Sequence, residues 1–338
     1  MKIRIGLVGL GFIGKVHWDT FLQLPEAEVV AVSDVEESRL EGRFKLPDGG
    51  EEIVDFSNVR KYAKAEDLYN DPEIDVVDIS LPTFMHLKHT EAALAAGKHV
   101  ICEKPMALNA AESEAMLQAS RQYNRHLFIA HCIRFWPVYA KAKEIIDSKQ
   151  YGNVLTARFN RISPLPSWSW KGWLQKGAES GLAALDFHIH DADFVQYVFG
   201  QPKSVRSFSG GMAAGRIDHI ITDYEYTDTQ LIVTEGAWEY ASGYSFGMNF
   251  TIALEKATLA MNNDLGLYVY TLDGMTEAIQ LPEGDGYFHE MRHFLQCIQE
   301  DKPSEIAAPD SAVNTIKLIE AEIKSAKLNG ERVPVDFS

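Results

Sequence analysis

The sequence predicts two domains of different class: an α/β domain on a doubly wound parallel sheet, then an α+β domain on an open, mostly antiparallel sheet with helices. Three observations predict this. Over the first third of the chain, short apolar runs alternate with helix-period segments, the pattern of repeated strand–helix–strand units. From residue 205 to about 280, strand signals follow one another, dense in aromatic and β-branched residues, with no helical period between them. At 338 residues, the chain is too long for most single cores. The expected domains are 1–128 and 129–338.

In order, residues 2–8 read as a buried strand and 12–24 as a helix stopped by Pro25. Strands follow at 29–32 and 74–80. A helix at 87–96 ends on Gly97, a C-cap glycine. Residues 99–102 form the next strand, 110–123 a helix, and 127–130 the last apolar run of the domain. A helix at 139–148 ends near Gly152, and Arg158 and Arg161 fall on the strand after it. The later strands turn at Gly210-Gly211, Asp228 and Asn262-Asn263. Their aromatic residues leave a face for packing or assembly. Helices at 287–300 and 310–329 close the chain, and such final helices sometimes pack back on a first domain.

Composition excludes several function classes. A formal net charge of −16 with no dense Lys/Arg cluster argues against nucleic acid and anionic membranes as partners. No apolar run reaches the roughly 18 residues of a membrane span. The stretch at 1–8 is not expected to be a secretory segment, because glycines and Lys15 interrupt it and no small-residue cleavage site follows. Cys102, Cys132 and Cys297 are few, odd in number and widely spaced, which fits neither a disulfide framework nor a zinc set and points to a reducing cytoplasm.

Gly9-Leu10-Gly11-Phe12-Ile13-Gly14 is a G-x-G-x-x-G that follows the first strand and opens the first helix. In that context it reads as a dinucleotide (Rossmann) fingerprint. Gly9 permits the tight turn, Gly11 lets the backbone approach a pyrophosphate, and Gly14 lets helix and sheet pack closely. The helix N-terminus then presents free N–H groups and partial positive charge. Asp34, at the end of the second strand, is the acid that accepts ribose hydroxyls and repels a 2′-phosphate, so NAD is favoured. Arg39 nearby keeps NADP open as the lesser option.

Two stretches carry candidate chemistry. Glu103-Lys104-Pro105 follows a parallel strand, at the sheet end where open α/β folds bind ligands. In Leu185-Asp186-Phe187-His188-Ile189-His190-Asp191, Asp186 and His190 share a face if the segment is α-helical. A carboxylate beside an imidazole raises its basicity and suits it to take an alcohol proton as hydride leaves. Taken alone, each stretch also fits a solvated surface pair.

The set of motifs resembles the glucose-fructose oxidoreductase and inositol dehydrogenase (Gfo/Idh/MocA) family over nearly the whole chain. The marks are the fingerprint, Leu81-Pro82-Thr83-Phe84-Met85-His86, the Gly97-Lys98-His99-Val100 strand leading into Glu103-Lys104-Pro105, the Asp186/His190 pair, and Glu290-Met291-Arg292-His293-Phe294 with Pro303 after it. The resemblance implies an NAD-dependent oxidoreductase acting on a hydroxyl of a sugar or polyol, and a homodimer or homotetramer formed through the second domain's sheet. It implies that Lys104 hydrogen-bonds the reacting oxygen, that His190 is the general base in oxidation and the acid in reduction, and that Asp186 orients it or shares its proton. Cofactor contacts then fall to Gly9, Gly11, Phe12, Ile13, Gly14, Asp34, Ser80, Leu81, Pro82, His86, Glu103 and Lys104. Arg134 sits where sugar-active relatives use a side chain on substrate. The sequence departs from the family at Thr83, often Asn, and at His188, often Gly, which adds bulk and a second titratable ring.

Other features have plainer readings. His289-Glu290-Met291-Arg292-His293 fits H-E-x-x-H, but no third ligand follows and the helix reads as packing, so no metal is expected. His188, His190 and Asp191 also fit a ligand set, and acid–base work fits them better. Trp168, Trp170 and Trp173 around Lys171 suit either stacking on a sugar or packing of a loop. Cys102 reads as a buried, inert thiol. Two rival functions stay open: a glycoside-cleaving enzyme that oxidises and re-reduces its sugar on bound NAD, and a non-catalytic NAD-binding sensor or co-regulator.

Overall fold

The computed structural model describes residues 2–45, 50–211, 215–227, 230–261 and 266–338, so the expected turns at Asp228 and Asn262-Asn263 lie outside the described residues. The chain divides into two units. One comprises Met1–Ala130, Trp168–Trp173 and Tyr287–Val313; the other comprises His131–Ser167, Leu174–Gly286 and Asn314–Ser338. Residues 168–173 and 287–313 thus belong with the first unit, although the sequence reading put them in the second domain.

The first unit runs β1 (Ile3–Val8), α1 (Phe12–Leu22), β2 (Ala27–Ser33), α2 (Glu37–Leu40), the hairpin strands β3 (Arg43–Lys45) and β4 (Glu51–Ile53), β5 (Arg60–Tyr62), α3 (Ala65–Tyr69), β6 (Val76–Ile79), α4 (His86–Ala95), β7 (His99–Glu103), α5 (Ala110–Tyr123) and β8 (Leu127–Ala130). Six strands form one parallel sheet in the order β5-β2-β1-β6-β7-β8. Numbered by chain order, that is 3-2-1-4-5-6. The winding reverses between β1 and β6, which makes a crevice at their carboxyl ends. β6 and β8 are buried throughout, as strands covered on both faces must be. Local signals set the ends: Asn109 accepts the Glu112 N–H at 2.9 Å to start α5, and Gly97 turns at φ 81° after α4.

The second unit contains α6 (Pro137–Ser148), β9 (Val154–Pro164), α7 (Gly177–Ser180), a π-helical turn (Ala183–Phe187) and α8 (Ile189–Phe199). The strands β10 (Ser204–Gly210), β11 (His219–Glu225), β12 (Leu231–Tyr240), β13 (Gly247–Leu254), β14 (Ala257–Met261), β15 (Leu267–Thr271) and β16 (Thr276–Ile279) follow. Next come α9 (Gly286–Gln299), α10 (Pro309–Lys327) and β17 (Val333–Pro334). The nine-stranded sheet has the order β16-β15-β14-β13-β9-β12-β11-β10-β17, antiparallel except where β9 meets β12. Alternate residues of β13 are buried, so one face is covered. Its core is an aromatic cluster in which Tyr139, Phe159, Phe194 and Phe250 pack edge-on or tilted. This is the fold class the sequence predicts. Among the elements it does not foresee, β3, β4 and β5 are three residues long and carry no apolar run.

Candidate functional site

The glycine turn leaves β1 with Gly9 at φ 91°, and a Cβ there would lie 2.6 Å from the Ser80 carbonyl oxygen. A Cβ on Gly14 would lie 1.9 Å from the Gly9 carbonyl oxygen, so α1 reaches the turn only with glycine at that position. A Cβ on Gly11 would meet nothing within 4 Å. The side of the turn where a backbone must approach a phosphate is therefore open, and it lies at the N-terminus of an eleven-residue helix with no acid in its first turn. These features fit a dinucleotide.

Asp34, just past β2, accepts hydrogen bonds from the Leu10 N–H at 2.7 Å and the Glu36 N–H at 2.8 Å. It ties the strand end to the glycine turn, and burial raises its pKa above the usual carboxylate value. Arg39 lies over the Phe44 ring, 5.4 Å from its centroid. Phe12 is 51% exposed, and its ring lies 5.3 Å from that of Trp168, itself 62% exposed. Trp173 lies in the same returning segment and is half-buried. Ile13 is half-buried beside Phe12.

At the ends of β6 and β7, the structure shows groups the sequence reading missed. His17 Nδ1 lies 2.9 Å and 3.1 Å from the two Asp78 oxygens, and its Nε2 lies 3.2 Å from Glu103 Oε1. Burial alone would lower the imidazole pKa, but Asp78 and Glu103 outweigh it and hold the ring well above the ordinary histidine value. Burial pushes Glu103 up, and His17 more than offsets that, leaving it below the usual range. The remaining Glu103 oxygen accepts the Lys104 N–H at 3.0 Å, and Ser80 Oγ donates to Asp78 at 3.0 Å. A signal was present: Asp78 is a charge inside the apolar run of β6.

Leu81 and Pro82 lead into a short 3₁₀ turn at Thr83–Met85. His86 is buried, with Nδ1 at 2.8 Å from the Pro105 carbonyl and Nε2 at 2.8 Å from the Leu81 carbonyl. Burial pushes its pKa down, and the two carbonyls oppose that push. Expected to line the cofactor channel, His86 lies buried between the Leu81 and Pro105 carbonyls. Lys104 is half-buried between Glu103 and Pro105.

In the second unit, Asp186 is buried in the π-helical turn, closed by His188 N–H donating to the Ala183 carbonyl at 2.8 Å. His190 is half-buried in the first turn of α8. The α-helical spacing expected for this pair is replaced by a wider turn followed by an α-helix. Leu182, at the head of the turn, sits at φ 60°, ψ −160°, a strained conformation for a branched residue and one found most often near functional sites. His188, expected at the substrate, is fully buried, its Nε2 2.8 Å from Glu322. Arg134, also expected there, is buried in a two-point pair with Asp193. Both are engaged inside the unit because a polar side chain needs a partner once buried.

The ligand-like patterns resolve into pairs. His293 Nε2 lies 2.8 Å from Ser304 Oγ, and Asp191 pairs with Arg161 at 2.7 Å. Among the described residues, no group of three His, Cys, Asp or Glu side chains is arranged to hold a metal. Nor is any helix among them long and apolar enough to cross a membrane.

Residues 3–131 match an oxidoreductase family described as having an NAD-binding Rossmann fold (GFO/IDH/MocA), and residues 139–260 match a GFO/IDH/MocA C-terminal domain. The chain is 26% identical over 328 residues to myo-inositol 2-dehydrogenase of Thermotoga maritima, covering 91% of this chain and 92% of that protein. It is 24% identical over 363 residues to the NADP(+)-dependent scyllo-inositol 2-dehydrogenase of Bacillus subtilis, covering 96% and 94%. The solved structure of a levoglucosan dehydrogenase in complex with NADH and levoglucosan superposes with a TM-score of 0.86 at 21% identity, covering 99% of this chain and all of that one.

Proposed function

Since this chain belongs to the GFO/IDH/MocA family of NAD-binding oxidoreductases, we propose that it is a dehydrogenase acting on a CH–OH group of a sugar, polyol or related compound. The observation that carries the reading is the dinucleotide cradle, in which Gly9 and Gly14 permit the close packing, Gly11 leaves the approach open and Asp34 braces the turn. Bound NAD supplies the hydride acceptor or donor. The polypeptide supplies the rest. Lys104 hydrogen-bonds the reacting oxygen and stabilises negative charge developing on it. His190 takes the hydroxyl proton in oxidation and returns it in reduction, and Asp186 orients it. The named activities of the relatives on inositols support the substrate class.

The same reading extends to setting and assembly. Three buried free cysteines suit a reducing cytoplasm. Phe208, Ile221, Leu231 and Tyr270, exposed on strands of the nine-stranded sheet, suit a homodimer or homotetramer built on that sheet.

The test is absorbance at the reduced-nicotinamide band, with NAD and then NADP, across sugars, inositols and sugar acids, for the wild type and Lys104→Ala. Turnover with one substrate class, abolished in Lys104→Ala while NADH still binds, is the expected result. Undiminished turnover in Lys104→Ala overturns the assignment of that side chain. Silence across the panel with NADH binding intact moves the reading to transient redox or to a sensor.

A further inference from the structure

The chemistry above makes no use of the charged cluster under α1, the helix that follows the glycine turn. His17 and Asp78 are fully buried, and Glu103 is 6% exposed. Two carboxylates therefore face one imidazole in a space that excludes water. A buried carboxylate is costly unless a positive partner and further hydrogen bonds compensate it. The ring meets the carboxylates at both ends, hydrogen-bonded to Asp78 through Nδ1 and with Nε2 3.2 Å from Glu103 Oε1. These acids sit on adjacent strands, β6 and β7.

Each carboxylate also reaches the crevice end of its strand. Glu103 holds the Lys104 N–H at 3.0 Å, and Asp78 accepts Ser80 Oγ at 3.0 Å. His17 itself is anchored on α1, one turn beyond Gly14. A single ring thus joins the helix of the cofactor cradle to both strand ends that border it.

We propose that His17 is a positioning residue: as an imidazolium it sits between Asp78 and Glu103 as their shared positive partner and so fixes the backbone that carries Lys104. A neutral side chain at this position leaves two buried negative charges. Glu103 then takes up a proton or swings toward solvent, and the Lys104 N–H loses its acceptor. The inference rests on the assignment of Lys104 to the reacting oxygen.

The first test needs no turnover. NMR of the full-length protein follows the His17 ring through pH, with the groups facing it being Asp78, Glu103, Ser80 Oγ and the Tyr287 ring 6.1 Å away. The ring is expected to stay doubly protonated at pH 8, and a neutral ring there overturns the proposal. The second test compares His17→Gln, Glu103→Gln and the double variant, with the substrate identified in the panel. Expected for His17→Gln is a fall in kcat of about tenfold or more, with KM and the NADH Kd within about threefold of wild type. Glu103→Gln removes the charge that His17 compensates, so the double variant should turn over faster than His17→Gln alone. Wild-type kcat in His17→Gln, or a double variant no faster than it, overturns the proposal. If His17→Gln does not fold, the NMR result on the wild type decides. Retained turnover in Lys104→Ala, with a cationic His17, is the separate signature of a wrong role for Lys104.

Discussion

The Asp34 carboxylate accepts the backbone N–H of Leu10 at 2.7 Å, so the acid that the sequence assigns to a ribose also braces the glycine turn. The two roles separate by substitution. Asp34→Asn keeps an acceptor for Leu10 and removes the charge; Asp34→Ala removes both. Asp34→Ala is expected to weaken NADH binding about tenfold, or ~1.4 kcal/mol. Asp34→Asn should lose less and raise NADPH affinity relative to NADH, because the repulsion of a 2′-phosphate is gone. Calorimetric titration of both cofactors checks this, and an unchanged NADH/NADPH ratio in both variants would remove Asp34 from ribose recognition.

Trp168 reaches the start of α1, beside the glycine turn, from a distant point in the sequence. Its ring packs on Phe12, the first residue of α1, yet both rings stay largely exposed. Exposed aromatic pairs beside a ligand cradle gain burial when the ligand arrives. Trp168→Ala is expected to raise the NADH Kd about fivefold, in line with ~1 kcal/mol for an aromatic contact, and Trp168→Phe to keep most of the affinity. The readout is energy transfer from tryptophan to bound NADH. An unchanged Kd in Trp168→Ala would return the ring to a substrate or surface role.

The parts of this molecule legible in the sequence are those encoded locally. Buried parallel strands read as apolar runs because both their faces are covered, and the fingerprint glycines read as a turn because their spacing is a backbone requirement. Pairs made across the fold are not encoded that way. His188 reads as an extra ring near the site until Glu322, from α10, is seen 2.8 Å away. Arg134 reads as a substrate contact until Asp193 occupies its guanidinium. The π-helical turn carrying Asp186 escapes a period-based reading, since one extra residue per turn leaves the apolar pattern nearly helical. β5, with Arg60, Lys61 and Tyr62, lies at a sheet edge and has no reason to be apolar.

The burial of His188 makes Gly236 a sensitive position. A Cβ there would lie 2.7 Å from the His188 Cβ and 2.9 Å from its Nδ1. The ring cannot move away without leaving Glu322, which is also held by the Tyr224 hydroxyl at 2.7 Å. Gly236→Ala is therefore expected to lower unfolding free energy by ~1–3 kcal/mol, the range for overpacking a core. Urea unfolding checks this through a lower midpoint at unchanged slope, and a wild-type midpoint would mean that β12 yields where the structure shows it pinned.

His99 supplies a pH dependence of stability. Burial, then the charges of His126 and Arg125, push its pKa from 6.5 down to about 4. Its Nδ1 accepts the His126 N–H at 3.1 Å, a role a protonated ring cannot fill, and its ring stacks on His126 at 5.0 Å. The folded state thus holds this histidine neutral over a range where the unfolded chain binds a proton. Stability contributed this way is fully present above the unfolded value, falls as pH drops from about 6.5 toward about 4, and levels off below that. His99→Gln removes the titrating group, so its unfolding free energy should vary less over the window than that of the wild type. Chemical denaturation at several pH values across it, compared between the two proteins, measures the difference. Parallel curves would place the acid sensitivity in other groups and leave the stacked pair without a part in it.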